Sequence, residues 1–301
     1  MPEMPEVQGL VDYLAGRLPE LTVSRATVTN IAALKTYDPP LDALVGTTVL
    51  SVSRHGKFID IEAQADAAPA LHLIFHLAKA GWLRWYDGLP STIIRPGKTP
   101  IALRVGFSDG SGFDLTEAGT KKSLAVYAAR NPTDAPGIER LGPDPLDPGF
   151  DRDALAALLR GRRTQIKGVL RDQSIIAGIG NAYSDEILHA ARMSPYALAA
   201  NLTDADIDTL FTAMQHTLAE AIAEASGKPP ADLKDAKRRG MRVHGRRGEA
   251  CPVCGDTVRE GCRRGAAGCS AKPVVASAAV SQAGRRARPG SIWPIARSLC
   301  N

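Results

Sequence analysis

The chain has 301 residues, of which 44% are hydrophobic, enough for more than one packed core. No run of about eighteen apolar residues would span a membrane, and no basic segment leads into a short apolar one at the start, so a cytoplasmic location is expected. The formal charge of +5 is not spread evenly. Residues 261–301 carry seven basic and no acidic side chains, so residues 1–260 hold 30 basic against 32 acidic, a net of −2. Global basicity is therefore no argument for a nucleic-acid partner, and any such argument rests on local clusters. One lies at Lys234–Arg247, where Lys234, Lys237, Arg238, Arg239, Arg242, Arg246 and Arg247 face a single acid, Asp235. The five cysteines all fall at or beyond residue 251, which excludes a disulfide framework for the body of the chain.

In chain order, Val7, Leu10, Val11, Leu14 and Leu18 recur at helical spacing, with Pro5 and Glu6 suited to a helix start. Residues 1–130 then read as β-rich. The runs TVSRATVTN, TTVLSVSR, KFIDIEA, ALHLIFHL, IALRVGFS and SLAVYAAR are separated by turn signals such as Asp87-Gly88 and Asp109-Gly110, a spacing that favours an antiparallel sandwich. Asn131–Phe150, with five prolines and three glycines, reads as a linker. Residues 151–226 are helical, with short connections. A basic connector and a cysteine-bearing segment occupy 227–260. Residues 261–301 are rich in Ala, Arg, Ser and Gly without periodicity; disorder is expected, and the abrupt change in composition fits translation in a shifted reading frame.

Four places offer chemistry. Removal of Met1 would leave Pro2 as a secondary amine at the chain terminus. An α-amine titrates near pH 8, roughly two units below a lysine side chain, so a useful fraction is nucleophilic at neutral pH. Attack on a sugar C1′ gives an iminium, an electron sink for β-elimination. Glu3 and Glu6 are the adjacent acids. Taken alone, a proline at position 2 and acids at a helix start are common. In GIGNAYSDEIL, Gly178 and Gly180 precede a helix, where backbone N–H groups and Asn181 would suit a phosphate; the plainer reading makes Asn181 an N-cap and the glycines a turn. In RHGKF, Lys57 sits at a turn between strands, a position ordinarily solvated. In CPVCG, Cys251 and Cys254 form one half of a zinc knuckle; Cys262, Cys269 and Cys300 make no second pair, and His244 is an optional donor.

Together, MPEMPEV, RHGKF, HLAKAGWLRW, GPDPL, QIKGVLRDQSIIAGIGNAYSDEIL and RVHGRRGEACPVCGDTV resemble, in order, the formamidopyrimidine-DNA glycosylase / endonuclease VIII family of base-excision repair enzymes. The resemblance covers residues 1 to about 260. It implies an α+β multidomain protein: an N-terminal antiparallel β-sandwich with a leading helix, a helix–two-turns–helix domain, and a C-terminal zinc-ribbon hairpin that is incomplete here. It implies a monomeric glycosylase and lyase on damaged or abasic duplex DNA. Pro2 would be the nucleophile, Glu3 the general acid, Glu6 a support, and Lys57 and Asn181 phosphate contacts. Elimination would cut the strand on one or both sides of the lesion. Lys79 stands where relatives that prefer oxidised purines have a Met wedge, and LTEAGTKKSLAV lacks their later Arg–Phe pair, so no lesion preference follows. Similarity ends near Glu260, before a finger Arg or second cysteine pair; Arg259, Arg263 and Arg264 lie nearby without either role. The competing expectation is a DNA-binding member with reduced or no catalysis. A third, an RNA-binding or structural module, leaves Pro2, Glu3 and Lys57 unexplained.

Overall fold

The structure is a computed structural model that describes residues 1–92, 94–95, 99–261 and 272–273. The chain forms two compact units. The first comprises residues 1–144, 173–178 and 219–239; the second comprises 145–172, 179–218 and the rest.

The first unit opens with helix α1 (Met4–Ala15), which buries Met4, Val7, Leu10, Val11 and Leu14, the apolar stripe read from the sequence. Each such side chain contributes about 1.5–3 kcal/mol of burial. Eight strands follow: β1 (Val23–Val28), β2 (Thr48–His55), β3 (Phe58–Gln64), β4 (Leu71–His76), β5 (Gly81–Tyr86), β6 (Ile101–Phe107), β7 (Gly112–Glu117) and β8 (Ala125–Ala129). They make two antiparallel four-stranded sheets, ordered β1-β6-β7-β5 and β2-β3-β4-β8. Period-two burial of Ile59, Ile61 and Ala63 on β3 and of Phe113 and Leu115 on β7 supplies the inner faces. Phe75 of one sheet meets Phe113 of the other with ring centroids 5.9 Å apart, so the sheets share one core, as a sandwich requires.

All six strand-like runs of the sequence are strands. Two further strands, β5 and β7, carry residues that weaken a strand reading: Trp82, Trp85 and Arg84 without clean alternation, and Asp114 and Glu117 among apolar neighbours. Asp114 tolerates burial because it pairs in register with Arg104 on β6 through two bonds of 2.7 and 2.8 Å and accepts from the Tyr86 hydroxyl at 3.1 Å.

The proline-rich stretch after β8 packs rather than dangles. It forms a short helix α2 (Pro136–Glu139), and Ala135 and Ile138 are buried with Ile74 and Ala129, flanked by Phe58, Tyr127 and Leu141.

The second unit contains α3 (Arg152–Leu159), α4 (Ile166–Arg171), α5 (Asn181–Ala190) and the first part of α6 (Asp204–Ala225), whose last turns belong to the first unit. Asp151 caps α3 by accepting from Ala154 N–H at 2.8 Å, and Thr203 and Asp206 cap α6 reciprocally. The first unit also holds most of α7 (Leu233–Gly240). Near the end, residues 248–258 form a hairpin with bonds from Val258 N–H to Glu249 O and from Cys251 N–H to Asp256 O. No helix among the described residues is long and apolar enough to cross a membrane.

Removing one partner of a buried pair strands the other charge. Asp114→Ala is expected to cost about 3–5 kcal/mol on that ground, read as a lower urea midpoint by tryptophan fluorescence. The double variant Arg104→Met/Asp114→Leu should recover most of the loss.

Candidate active site

The first turn of α1 is fixed by its own acids. Glu3 is the N-cap, and its backbone N–H donates to Glu6 Oε2 at 2.8 Å; the Glu3 carboxylate faces the Glu6 N–H in the reciprocal arrangement of a capping box. Both acids are buried, at 2% and 3% exposure. Met4 N–H donates to Gly178 O at 3.0 Å, within the first unit. The two residues after position 2 are therefore fixed through their backbone N–H groups.

A buried carboxylate needs a cation. Lys237, on α7, donates to Glu6 Oε2 at 2.6 Å and to the Met1 carbonyl at 3.3 Å. Its neighbour Lys234 places its ammonium 4.5 Å from the centre of the Trp82 ring, while Trp82 Nε1 donates to Pro230 O at 3.0 Å. Lys234, Lys237 and Arg238, spaced i, i+3 and i+4, line one face of a cavity of about 280 Å³. Met1, Pro2, Glu6, Lys79 and Trp82 line it as well. The Met1 α-amine is held below its usual value of 8.0, by burial first and then by the Lys237 and Lys234 charges, against the opposing pull of Glu3 and Glu6.

Two turns of the sandwich carry the other basic residues. Lys79 lies exposed in the turn after β4, where Ala78 has φ 52° and a Cβ on Gly81 would lie 2.2 Å from Leu77 O. That turn is tied to His76, whose Nδ1 accepts from Ala78 N–H at 3.2 Å. Burial, and then the Lys57 charge, push the His76 pKa down to about 4, so the ring is a neutral acceptor at physiological pH.

Lys57 is buried, not solvated as a turn lysine ordinarily is. It occupies the two-residue turn between β2 and β3, where Gly56 has φ 58° and lies against Leu141. Arg54 pins the turn, donating to Gly56 O at 3.0 Å and to Gln8 Oε1 at 2.7 Å and pairing with Asp144 at 2.6 Å.

In the GIGN segment the close approach of Gly178 is to the protein itself. Its φ is 87°, and a Cβ there would lie 2.3 Å from Met4 Cε. Gly180, in extended conformation, is the N-cap of α5, and Asn181 is its first helical residue, so Asn181 is not the cap. Asn181 belongs to the second unit.

The second unit also contains an anchor that the sequence did not single out. Glu186 on α5 accepts from three consecutive backbone N–H groups, Arg242, Val243 and His244, at 2.9, 3.0 and 2.8 Å. Asp185 beside it binds Lys167 and His244 Nδ1. These bonds fix the basic segment to α5. In the knuckle, Cys251 is buried with its sulfur 3.3 Å from His189 Nε2, while Cys254 is exposed. Among the described residues no three His, Cys, Asp or Glu side chains are grouped to hold a metal ion. Cys262, Cys269, Cys300, Arg263 and Arg264 lie outside the described residues, as does nearly all of the tail.

Lys237, Trp82, His76 and Glu186 are thus site or supporting residues without a role in the sequence reading. Helical phase on 233–240 groups Lys237 with Lys234 and Arg238, but nothing local indicates that they face α1.

Comparison with known proteins agrees with the geometry. Residues 1–122 match the formamidopyrimidine-DNA glycosylase N-terminal domain, and residues 141–229 match the formamidopyrimidine-DNA glycosylase H2TH domain. The chain is 35% identical over 269 residues to formamidopyrimidine-DNA glycosylase of Moorella thermoacetica, covering 86% of this chain and 93% of that one. It is 53% identical over 125 residues to an uncharacterized formamidopyrimidine-DNA glycosylase-like protein of Mycobacterium tuberculosis, covering 42% of this chain and 78% of that one. In fold it is similar to the Lactococcus lactis enzyme bound to DNA containing an AP site (TM-score 0.73, 23% identity, 90% and 96% covered). It is likewise similar to that enzyme bound to DNA containing FAPY-dG (TM-score 0.76, 23% identity, 90% and 97% covered). The chain belongs to the formamidopyrimidine-DNA glycosylase family.

The neutral His76 ring gives a pH signature. A histidine whose folded pKa is depressed lends stability that is complete above its unfolded value and declines as pH falls from 6.5 towards about 4. His76→Gln, which keeps an acceptor without titrating, should flatten that part of the stability–pH curve, measured by thermal melts at stepped pH.

Proposed function

We propose that this protein is a base-excision repair enzyme, a bifunctional DNA glycosylase and AP lyase that uses Pro2 as its nucleophile after removal of Met1. The observation that carries the reading is a buried Pro2 in the lining of a cation-flanked cavity, at a helix start fixed by Glu3, Glu6, Lys237 and Gly178. Such placement is costly for a terminus with no chemical role, since chain ends are normally loose.

The substrate is duplex DNA with a damaged base or an abasic site, as in the Lactococcus lactis complexes with FAPY-dG and AP-site DNA. Extruding the nucleotide costs a few kcal/mol. The neutral Pro2 nitrogen then attacks C1′. With a base present, the C1′–N bond breaks and its electron pair leaves with the base, which takes up a proton. Glu3, next in the chain to the nucleophile, is the acid that protonates the ring oxygen and opens the sugar. The resulting iminium acidifies C2′–H; loss of that proton expels the 3′ phosphate by β-elimination. Glu6 positions the nucleophile. Lys57 contacts the phosphate flanking the lesion, Asn181 holds another by hydrogen bonding, and Lys79, on an exposed turn, is a further DNA contact.

Borohydride trapping on a duplex with one abasic site tests this. A covalent adduct on the N-terminal peptide is expected, and one residue added before Pro2 should abolish it, because an amide nitrogen cannot form the iminium. Binding without any adduct would overturn catalysis and leave a DNA-binding protein.

The Met1 amine is lowered by burial and by the Lys237 and Lys234 charges, and a Pro2 amine freed in the same cavity lies beside the same two lysines. The trapping rate should rise with pH as the amine loses its proton and level off at a pH below the 8.0 of an ordinary terminus, measured by single-turnover quenching.

A further inference from the structure

Met1 shows where the substrate carbon goes. Its carbonyl carbon is bonded to the Pro2 nitrogen, the bond that C1′ would make in the covalent intermediate. Its oxygen therefore stands in for the oxygen carried by C1′ of an open abasic sugar, first as aldehyde and then as carbinolamine hydroxyl. The side chain bonded to that oxygen is Lys237, at 3.3 Å.

We propose that Lys237 is a catalytic residue that donates to the C1′ oxygen of the abasic sugar and protonates it for departure as water. The inference rests on Pro2 being the nucleophile. Three observations support it. The ammonium is held on buried Glu6 at 2.6 Å, a charge-assisted bond that fixes its direction. Among the described residues, the other cations lining the cavity make no bond to that oxygen: Lys234 lies over the Trp82 ring, and Arg238 makes an exposed 3.4 Å contact with Asp235. Glu3, the adjacent acid, has its carboxylate facing the Glu6 N–H.

The step balances. The neutral Pro2 amine adds to the C1′ aldehyde, and its N–H proton ends on the new C1′ oxygen as the carbinolamine forms. Lys237 then gives one proton to that hydroxyl, the C–O bond breaks, and water leaves with the electron pair. The nitrogen lone pair closes the C=N⁺ bond. Lys237 is left neutral and regains its proton from solvent, so the charge passes from Lys237 to the iminium.

Lys237→Met and Lys237→Arg separate this role from a structural one. The readouts are single-turnover borohydride trapping on an abasic-site duplex, and binding to a duplex with a tetrahydrofuran analogue that has no C1′ oxygen. Lys237→Met should slow trapping about 10²-fold near pH 7, with the deficit narrowing at lower pH as hydronium replaces the lost donor. Binding to the tetrahydrofuran duplex should stay within about twofold, against the 10²-fold expected for trapping. Lys237→Arg, which keeps the charge and a hydrogen bond but does not release its proton, should bind the tetrahydrofuran duplex like the wild type and stay slow in trapping. Trapping by Lys237→Met at the wild-type rate and pH profile would overturn the proposal, as would equal losses in trapping and tetrahydrofuran binding. If Lys237→Met does not fold, Lys237→Gln is judged by the same two readouts. Absence of any adduct with the wild-type protein would instead overturn the Pro2 reading on which this one stands.

Discussion

The Glu6 carboxylate is the contact on which the candidate site depends. It closes the first turn of α1 on Glu3 N–H and receives Lys237 from a helix more than two hundred residues away in sequence. A carboxylate at 3% exposure is too costly to leave ionised without both kinds of partner. The same atom, Oε2, therefore ties the helix start to α7, and the chain terminus is registered against both. Met4 N–H on Gly178 O supplies a further tie.

The sandwich contributes rigidity at its turns rather than chemistry in its core. The turn holding Lys57 is pinned by Arg54, Gly56 and Leu141; the turn holding Lys79 is pinned by His76 and by the close approach of Gly81 to Leu77. In each case a residue in left-handed conformation, Gly56 or Ala78, stands next to the lysine. Such positions persist only where the surroundings over-determine them, and here the surroundings are strands of one core. Basic side chains on short, fixed turns lose little freedom on meeting a phosphate, which favours binding over what loose surface lysines provide.

The division between what the sequence discloses and what it hides follows the range of the interactions. The α1 stripe, six strands, the helical region and the acids beside Pro2 are local patterns, and the structure contains them as elements. Asp114 defeats a strand reading because its partner Arg104 lies across a hairpin. The proline-rich stretch reads as a linker because Ile138 is one apolar residue among breakers; only its contact with the Ile74 and Ala129 side of the sheet makes it part of a core. Gly178 reads as a phosphate glycine, but the atom that forbids a side chain there is Met4 Cε, and no spacing rule joins residue 178 to residue 4. Lys237 and Glu186 are hidden for the same reason. Each acts on backbone or carboxylate groups brought near by tertiary folding, and each looks locally like an ordinary charged residue on a helix.

The charge distribution constrains how such a protein meets a polyanion. With a net charge of −2, residues 1–260 by themselves give little attraction at long range; the chain's +5 comes from the seven basic residues beyond 260. Screening confines useful fields to about 8–10 Å at physiological salt, so the placement of each cation matters more than their number. Of the cations on the cavity face of α7, Lys237 is consumed by Glu6, and Arg238 makes only an exposed 3.4 Å contact with Asp235, of little energetic weight. Lys234 over Trp82, Lys79 on its turn and Arg238 are then the charges available to a phosphate near the terminus. A few fixed cations release few counterions. Binding through this face alone would accordingly be only modestly salt-dependent.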